Sequence, residues 1–255
     1  MNLLVDIGNT RIKIAIDNDG VIYRQGSIFH KEKGWLSHLS DMFHELASVE
    51  RADEEFSNVY VSNVNSSRIG EQITAFAAES FQITPRFAKT QKSFGGLKNA
   101  YSVPETLGID RWLAMIAAHE RRLLPMIVVD CGTAVTIDTI NDEGIFVGGL
   151  ILPGLTLMRQ SLDTNTAHLD SYSGNASEEG FTPYSTVSAV QAGTAYAIAS
   201  LIDRAMRELS RKHGKSVNCY IAGGDALEIK EKMEMDAIYE PDLVLQGLAK
   251  YFRDN

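Results

Sequence analysis

A chain of 255 residues is long for one domain and natural for two, and it can bury a sizeable core. A hydrophobic content of 44% with 22% charged residues is ordinary for a globular protein and excludes fibrous and disordered classes. The formal net charge of −9 argues against a broad nucleic-acid or anionic-membrane surface, because such surfaces concentrate Lys and Arg.

Residues 2–7 read as a buried strand, and Ile12, Ile14 and Ile16 alternate along residues 11–16 with the two-residue period of a half-buried strand. Asn18-Asp19-Gly20 turns the chain into residues 21–28, giving an opening meander. Trp35, Leu36, Leu39, Met42, Phe43 and Leu46 recur at helical spacing and predict a helix packed on that sheet. A strand follows near residues 58–64. Ile69, Ile73, Phe76 and Ala77 mark a second amphipathic helix over residues 66–80, and residues 81–88 look extended around Pro85.

Residues 90–104 are polar and glycine-bearing, and Gly108 leads into a helix whose apolar face includes Trp112, Leu113, Ile116 and Ala117. Residues 126–130, 135–140 and 145–150 then repeat the opening meander, with Asn141 to Gly144 as its turn. Pro153-Gly154 precedes a helix through Leu162. Residues 163–183 are rich in Ser, Thr, Asn and Gly and suggest a mobile loop. A long helix over residues 185–213, a strand over 217–222 ending in Gly223-Gly224, and helices near 226–233 and 242–252 complete the chain. Strands followed by helices, twice over, predict an α/β duplication with a cleft between the halves, divided as residues 1–118 and 119–255.

Cys131 and Cys219 are the only cysteines, far apart and outside any CxxC pattern, so neither a disulfide framework nor a zinc site is indicated. Asp6 interrupts the first apolar run, which therefore lacks the form of a secretory signal. No run approaches the ~18 apolar residues of a membrane helix. A soluble, cytoplasmic protein with no membrane or nucleic-acid partner is expected.

The chemistry lies in paired turns. Val5-Asp6-Ile7-Gly8-Asn9-Thr10 has a counterpart in Val129-Asp130-Cys131-Gly132-Thr133-Ala134, and 124 residues separate both Asp6 from Asp130 and Gly20 from Gly144. A turn that receives phosphate needs glycine where backbone comes close, exposed N–H groups and hydroxyls. Gly8, Asn9 and Thr10 supply these in one half, and Gly132, Thr133 and Thr136 in the other. A carboxylate beside phosphate needs an intervening cation, so Asp6 and Asp130 imply Mg²⁺ carried by a nucleotide. Each Asp-x-Gly alone could be a plain strand end, but two copies at a fixed offset weigh against that.

Gly214-Lys215-Ser216 ends like a P-loop, yet Leu209 stands where its first glycine belongs and the order is helix then strand. Gly223-Gly224 is either a left-handed turn or a place where a flat purine lies on backbone. Asp110 fits the first turn of a helix as a dipole partner, and equally a general base toward an alcohol with Arg111 pairing an anionic substrate.

The motifs Asp6-Ile7-Gly8-Asn9-Thr10, Tyr101 to Arg111, Asp130 to Asp138, Pro153-Gly154-Leu155 and Gly223-Gly224 together resemble the pattern of the type III pantothenate kinases. These belong to the acetate/sugar-kinase, heat-shock-chaperone and actin superfamily. The resemblance implies duplicated ribonuclease-H-like domains of the actin-like ATPase type, with a central nucleotide cleft. It implies that Asp6, Ile7, Gly8, Asn9, Thr10, Arg11, Ile12 and Lys13 hold ATP phosphates, that Thr133 contacts ATP, and that Gly223 and Gly224 form the adenosine motif. Asp130 would bind a monovalent cation, K⁺ or NH₄⁺, beside the Mg²⁺ of ATP. Tyr101, Gly108, Ile109, Asp110, Arg111 and Thr186 would surround pantothenate, with Asp110 as catalytic base and a homodimer as the assembly. The competing readings are another small-alcohol kinase of the superfamily and a non-catalytic accessory regulator of gene expression.

Overall fold

The computed structural model describes residues 1–48, 56–165 and 181–255. Its contacts divide the chain into two compact units, Met1–Arg121 with Asp242–Asn255, and Arg122–Pro241.

The first unit is built on β1 (Asn2–Ile7), which pairs antiparallel with β2 (Arg11–Asn18) and parallel with the fourth strand in the chain. From β2 the two-residue turn Asp19-Gly20, both at positive φ, leads into β3 (Val21–Phe29). Positive φ at both central residues is what a tight hairpin matched to strand twist requires. Helix α1 (Trp35–Ser48), strand β4 (Asn58–Asn63), helix α2 (Ser67–Phe81) and the short β5 (Arg86–Phe87) follow, giving a sheet ordered β3-β2-β1-β4-β5. Leu3, Val5, Ile7, Ile12, Ile14, Val59 and Val61 pack with Trp35 and Leu39 of α1 and Ile73 and Ala77 of α2. Central strands buried on both faces lose the polar alternation of an exposed sheet, which explains the nearly continuous apolar run of β1.

Two elements of this unit escape a reading by periodicity. The polar stretch over residues 90–104 contains a hairpin, β6 (Ser93–Phe94) and β7 (Leu97–Asn99), turned by Gly95-Gly96, both at positive φ. The predicted extended stretch at 81–88 is mostly connection, because α2 runs to Phe81 and only Arg86–Phe87 pairs with β4. A 3-10 turn at Pro104–Thr106 leads to α3 (Ile109–Glu120).

The second unit repeats the plan with β8 (Met126–Cys131), β9 (Ala134–Ile140) and β10 (Ile145–Pro153). Helices α4 (Leu155–Asn165) and α5 (Thr186–His213), strand β11 (Asn218–Ala222), helix α6 (Ala226–Lys230) and strand β12 (Ile238–Tyr239) complete it. Within the unit the strands are ordered β12-β11-β8-β9-β10. Ile127, Val129 and Cys131 of β8 and Val135 and Ile137 of β9 meet Ala195, Ile198, Ala199, Ile202 and Met206 of α5. The polar loop expected over residues 163–183 falls mainly outside the described residues.

The last helix, α7 (Leu243–Arg253), belongs to the first unit and packs on β1, β4 and α3. A Cβ on Gly247 would lie 1.9 Å from the Leu113 carbonyl oxygen, so α3 and α7 cross in backbone contact. No described helix is long and apolar enough to cross a membrane.

The duplication is not free of gaps. Gly8, Asn9 and Thr10 separate β1 from β2, whereas only Gly132 and Thr133 separate β8 from β9. Asp6 stands opposite Lys13, but Asp130 stands opposite Thr136, so the second strands correspond at an offset of 123 and not 124. Burial agrees, since Val135 and Ile137 occupy the buried places of Ile12 and Ile14. The lost residue returns in the next turn, Asn141 to Gly144, whose Asn141 side chain accepts from Glu143 N at 3.0 Å and Ile145 N at 2.9 Å.

Asp203, buried in α5, accepts from Glu234 N at 2.8 Å and Met235 N at 3.0 Å and so anchors the segment before β12. Asp203→Ala removes the acceptor of two part-buried backbone donors and is expected to lower stability by about 1–3 kcal/mol in urea unfolding. An unchanged midpoint would show that these bonds contribute nothing net.

Candidate functional site

The first turn is defined from both ends. Gly8 N donates to Arg11 O at 2.9 Å, and a Cβ on Gly8 would lie 3.2 Å from that same oxygen. Gly8 O faces His30 Nε2 at 3.2 Å and accepts from Asn65 Nδ2 at 3.1 Å. Asn9 is exposed and Thr10 half-buried at the mouth of the turn. Asp6, buried at the end of β1, has Lys13 opposite on β2 and Ser62 opposite on β4. Cross-strand partners share a sheet face at roughly 5 Å between Cβ atoms, so a lysine accompanies this carboxylate. Ile7 and Ile12 are fully buried core residues, so any role they have toward a ligand runs through backbone. Arg11 lies over the Phe29 ring, 4.1 Å from its centroid.

The motif from Tyr101 to Arg111 is wound around two side chains. Buried Asn99 accepts from Tyr101 N at 3.0 Å and donates to Pro104 O at 3.4 Å, while Thr90 Oγ1 donates to Leu107 O at 2.8 Å. Gly108 caps α3, which puts Ile109, Asp110 and Arg111 in its first turn. Asp110 Oδ1 accepts from Arg111 N at 2.7 Å. Burial pushes the Asp110 carboxyl above the usual carboxylate range, against the opposing pull of the Arg111 N–H and guanidinium. A Cβ on Gly108 would fall 2.6 Å from Asp110 Oδ1, so glycine here leaves the carboxylate its place. Ile109 and Arg111 are buried; Tyr101 is half-buried.

In the second unit Gly132 N donates to Ala134 O at 3.2 Å to close the turn. Asp130 is half-buried and Thr133 exposed. Asp130 is flanked in register by Thr136 and by Ala222, neither of them cationic. Burial, then the Asp130 carboxylate, raises the Cys131 thiol far above its usual range, so it stays protonated and is no nucleophile.

Two glycines have a packing reason in the second turn. A Cβ on Gly154 would lie 2.1 Å from Gly132 O, and one on Gly223 would lie 2.3 Å from Cys131 O. The second turn is thus clasped by backbone on two sides, reinforced by Gly154 N to Thr133 O at 3.0 Å and Asp225 N to Cys131 O at 3.1 Å. Gly223 has φ +100°, the left-handed reading of this pair, whereas Gly224 faces open space. Thr186 is exposed at the first position of α5, where Ser185 Oγ accepts from Ser188 N at 3.2 Å and lies 2.8 Å from Ser188 Oγ. Lys215 of the P-loop-like tail pairs with Asp142 at 2.9 Å, which accounts for it structurally.

Sequence patterns did not single out His30, Asn65 or Asn99. Each is one polar residue beside a turn, and only the tertiary path of β3, β4 and β7 brings it to a motif. Among the described residues no group of three or more His, Cys, Asp or Glu side chains could hold a metal ion.

A profile of the type III pantothenate kinase family matches residues 2–208. The type III pantothenate kinase of Nitrosococcus oceani is 36% identical over 259 residues, covering 100% of this chain and 94% of that protein. That of Thiobacillus denitrificans is 31% identical, covering 98% and 96%. Among solved structures, a candidate Baf family transcriptional activator from Campylobacter jejuni superposes with TM-score 0.60 at 22% identity, covering 99% and 98% of the two chains. An activator of 2-hydroxyisocaproyl-CoA dehydratase from Clostridium difficile, with bound ADPNP, superposes with TM-score 0.54 at 14% identity, covering 98% and 93%. These structural likenesses establish the actin-like ATPase class of fold.

Proposed function

The chain belongs to the type III pantothenate kinase family, and from that premise we propose a role for each of its site residues. It is a kinase that transfers phosphate from ATP to pantothenate in coenzyme A biosynthesis, giving 4′-phosphopantothenate. ATP brings Mg²⁺, which neutralises phosphate charge during transfer.

Asp110 is the general base. The observation that carries this role is a carboxylate in the first turn of α3 whose proton affinity burial has raised, in a glycine-made niche beside Arg111. It takes the proton of the primary hydroxyl of pantothenate as that oxygen attacks the γ-phosphate. Arg111 pairs with the pantothenate carboxylate, and Tyr101, Gly108, Ile109 and Thr186 complete substrate recognition.

The segment from Asp6 to Lys13 binds phosphates through the backbone of Gly8 and Asn9, the Thr10 hydroxyl and the Lys13 ammonium. Thr133 contacts ATP, and Gly223-Gly224 serves the adenosine, with Gly224 as the open member of the pair. In functional terms residues 1–118 carry the first phosphate turn and the substrate motif, and residues 119–255 the second phosphate turn and the adenosine motif.

Asp130 holds a monovalent cation, K⁺ or NH₄⁺. Asp130 is a half-buried carboxylate at the end of β8 with the Thr136 side chain opposite, so the hard oxygen donors that suit such an ion meet there. Exposed Val147, Leu150 and Ile151 of β10 and Leu157 of α4 support a homodimer. A cytoplasmic location suits the substrates and the two free thiols.

Turnover of pantothenate in KCl and in NaCl at equal ionic strength tests the cation assignment. We expect activity in K⁺, little in Na⁺, and loss of the difference in Asp130→Asn. Equal rates in both salts for the wild type would remove the cation from Asp130.

A further inference from the structure

We propose that His30 and Asn65 are positioning residues of the first phosphate turn, which set the direction of the Asn9 N–H by holding the Gly8 carbonyl. The proposal rests on the nucleotide-kinase reading above and adds two residues to it.

Neither side chain belongs to the turn. His30 follows the last residue of β3, and Asn65 lies two residues beyond β4. They converge on one atom, Gly8 O, at 3.2 Å from His30 Nε2 and 3.1 Å from Asn65 Nδ2. The orientation of Asn65 is fixed independently, because its Oδ1 accepts from Ser66 N at 2.7 Å and its own N donates to Asn63 Oδ1 at 2.8 Å. Its amide nitrogen therefore faces the turn. With a proton on Nε2, His30 supplies a second donor, and a carbonyl oxygen has two lone pairs to receive both.

Gly8 N is tied at 2.9 Å to Arg11 O, so the residue is fixed at both its amide and its carbonyl. A trans peptide is planar, and its C=O and N–H point in opposite directions. Holding Gly8 O toward His30 and Asn65 thus aims Asn9 N–H away from them. Asn9 is exposed, and its N–H is one of the groups a phosphate oxygen would use. Glycine at position 8 has little steric resistance to peptide rotation, so the direction has to be imposed from outside the turn.

The test uses the full chain as wild type, His30→Ala, His30→Gln and Asn65→Asp. Asn65→Asp keeps the acceptor for Ser66 N and replaces the donor to Gly8 O by an oxygen. Mg·ATP binding is titrated calorimetrically without pantothenate, and kcat and KM are measured for both substrates. We expect His30→Ala to weaken nucleotide binding ~3–10-fold and Asn65→Asp ~10-fold or more, on the scale of one lost hydrogen bond and one created repulsion. KM for ATP should rise in parallel, with kcat and KM for pantothenate within about twofold, and His30→Gln should recover most of the affinity. Unchanged nucleotide affinity in His30→Ala and Asn65→Asp overturns the proposal. So does a loss in which affinity, kcat and melting temperature fall together in all three variants, which is the mark of a packing role. Wild-type protein that binds Mg·ATP without phosphorylating pantothenate would sink the kinase reading alone and leave the titration to judge His30 and Asn65.

Discussion

Asp110→Asn is expected to lower kcat by ~10²–10⁴-fold, the span of a positioned general base, while ATP and pantothenate still bind within a few-fold of wild type. Asn keeps the size of the side chain and the acceptor for Arg111 N, and removes only the ability to take a proton. The pH profile carries the same information. Burial raises the Asp110 carboxyl, so the wild-type rate should fall as pH drops through a value above the ordinary carboxylate range. Stability should move the other way. A carboxyl whose folded pKa is raised stabilises the fold in its protonated form, and that contribution is lost as pH rises from the unfolded value through the folded one. Once ionised, Asp110 is thus a stability cost, and above its folded titration Asp110→Asn should melt no lower than wild type. A variant that retains wild-type kcat would remove Asp110 from the base role.

Gly223→Ala should be the most damaging single-methyl change near the second turn. At φ +100° an L side chain costs about 1–2 kcal/mol. The new Cβ would also lie 2.3 Å from Cys131 O, 2.5 Å from its carbonyl carbon and 2.6 Å from its nitrogen. Backbone cannot yield as a flexible side chain can, and forced shifts of packed structure add ~1–3 kcal/mol. The expected total is about 2–5 kcal/mol in denaturant unfolding, with loss of turnover because Asp130 and Thr133 flank the displaced atoms. Gly224→Ala is the internal control. It meets open space, so its stability should stay within about 0.5 kcal/mol, and any effect should fall on KM for ATP. Equal stability for Gly223→Ala and wild type would contradict the clasp around Cys131.

Much of this was readable beforehand, for identifiable reasons. The strands β2 and β9 announce themselves by alternating Ile and Val that become buried, and β1 and β8 by short apolar runs that do. The hairpin at Gly95-Gly96 had its signal in the glycine pair, but its strands are too short to show a period. The offset of 124 concealed a one-residue deletion that the next turn restores, and only strand register reveals it. The last helix follows the second half in sequence, yet its apolar face and Gly247 fit α3 of the first unit. The site motifs were legible as residues, while the reasons for Gly108, Gly154 and Gly223 were not. For Gly154 and Gly223 the reason is a close approach between segments distant in sequence, and for Gly108 it is the place taken by the Asp110 side chain.

The most direct measurement is product analysis: purified chain, pantothenate, Mg·ATP and K⁺, with the reaction followed by mass spectrometry for wild type and Asp110→Asn. The wild type should give 4′-phosphopantothenate and ADP in equal amounts and the variant almost none. ATP hydrolysis without phosphorylated pantothenate, or no turnover by the wild type in K⁺, would contradict it.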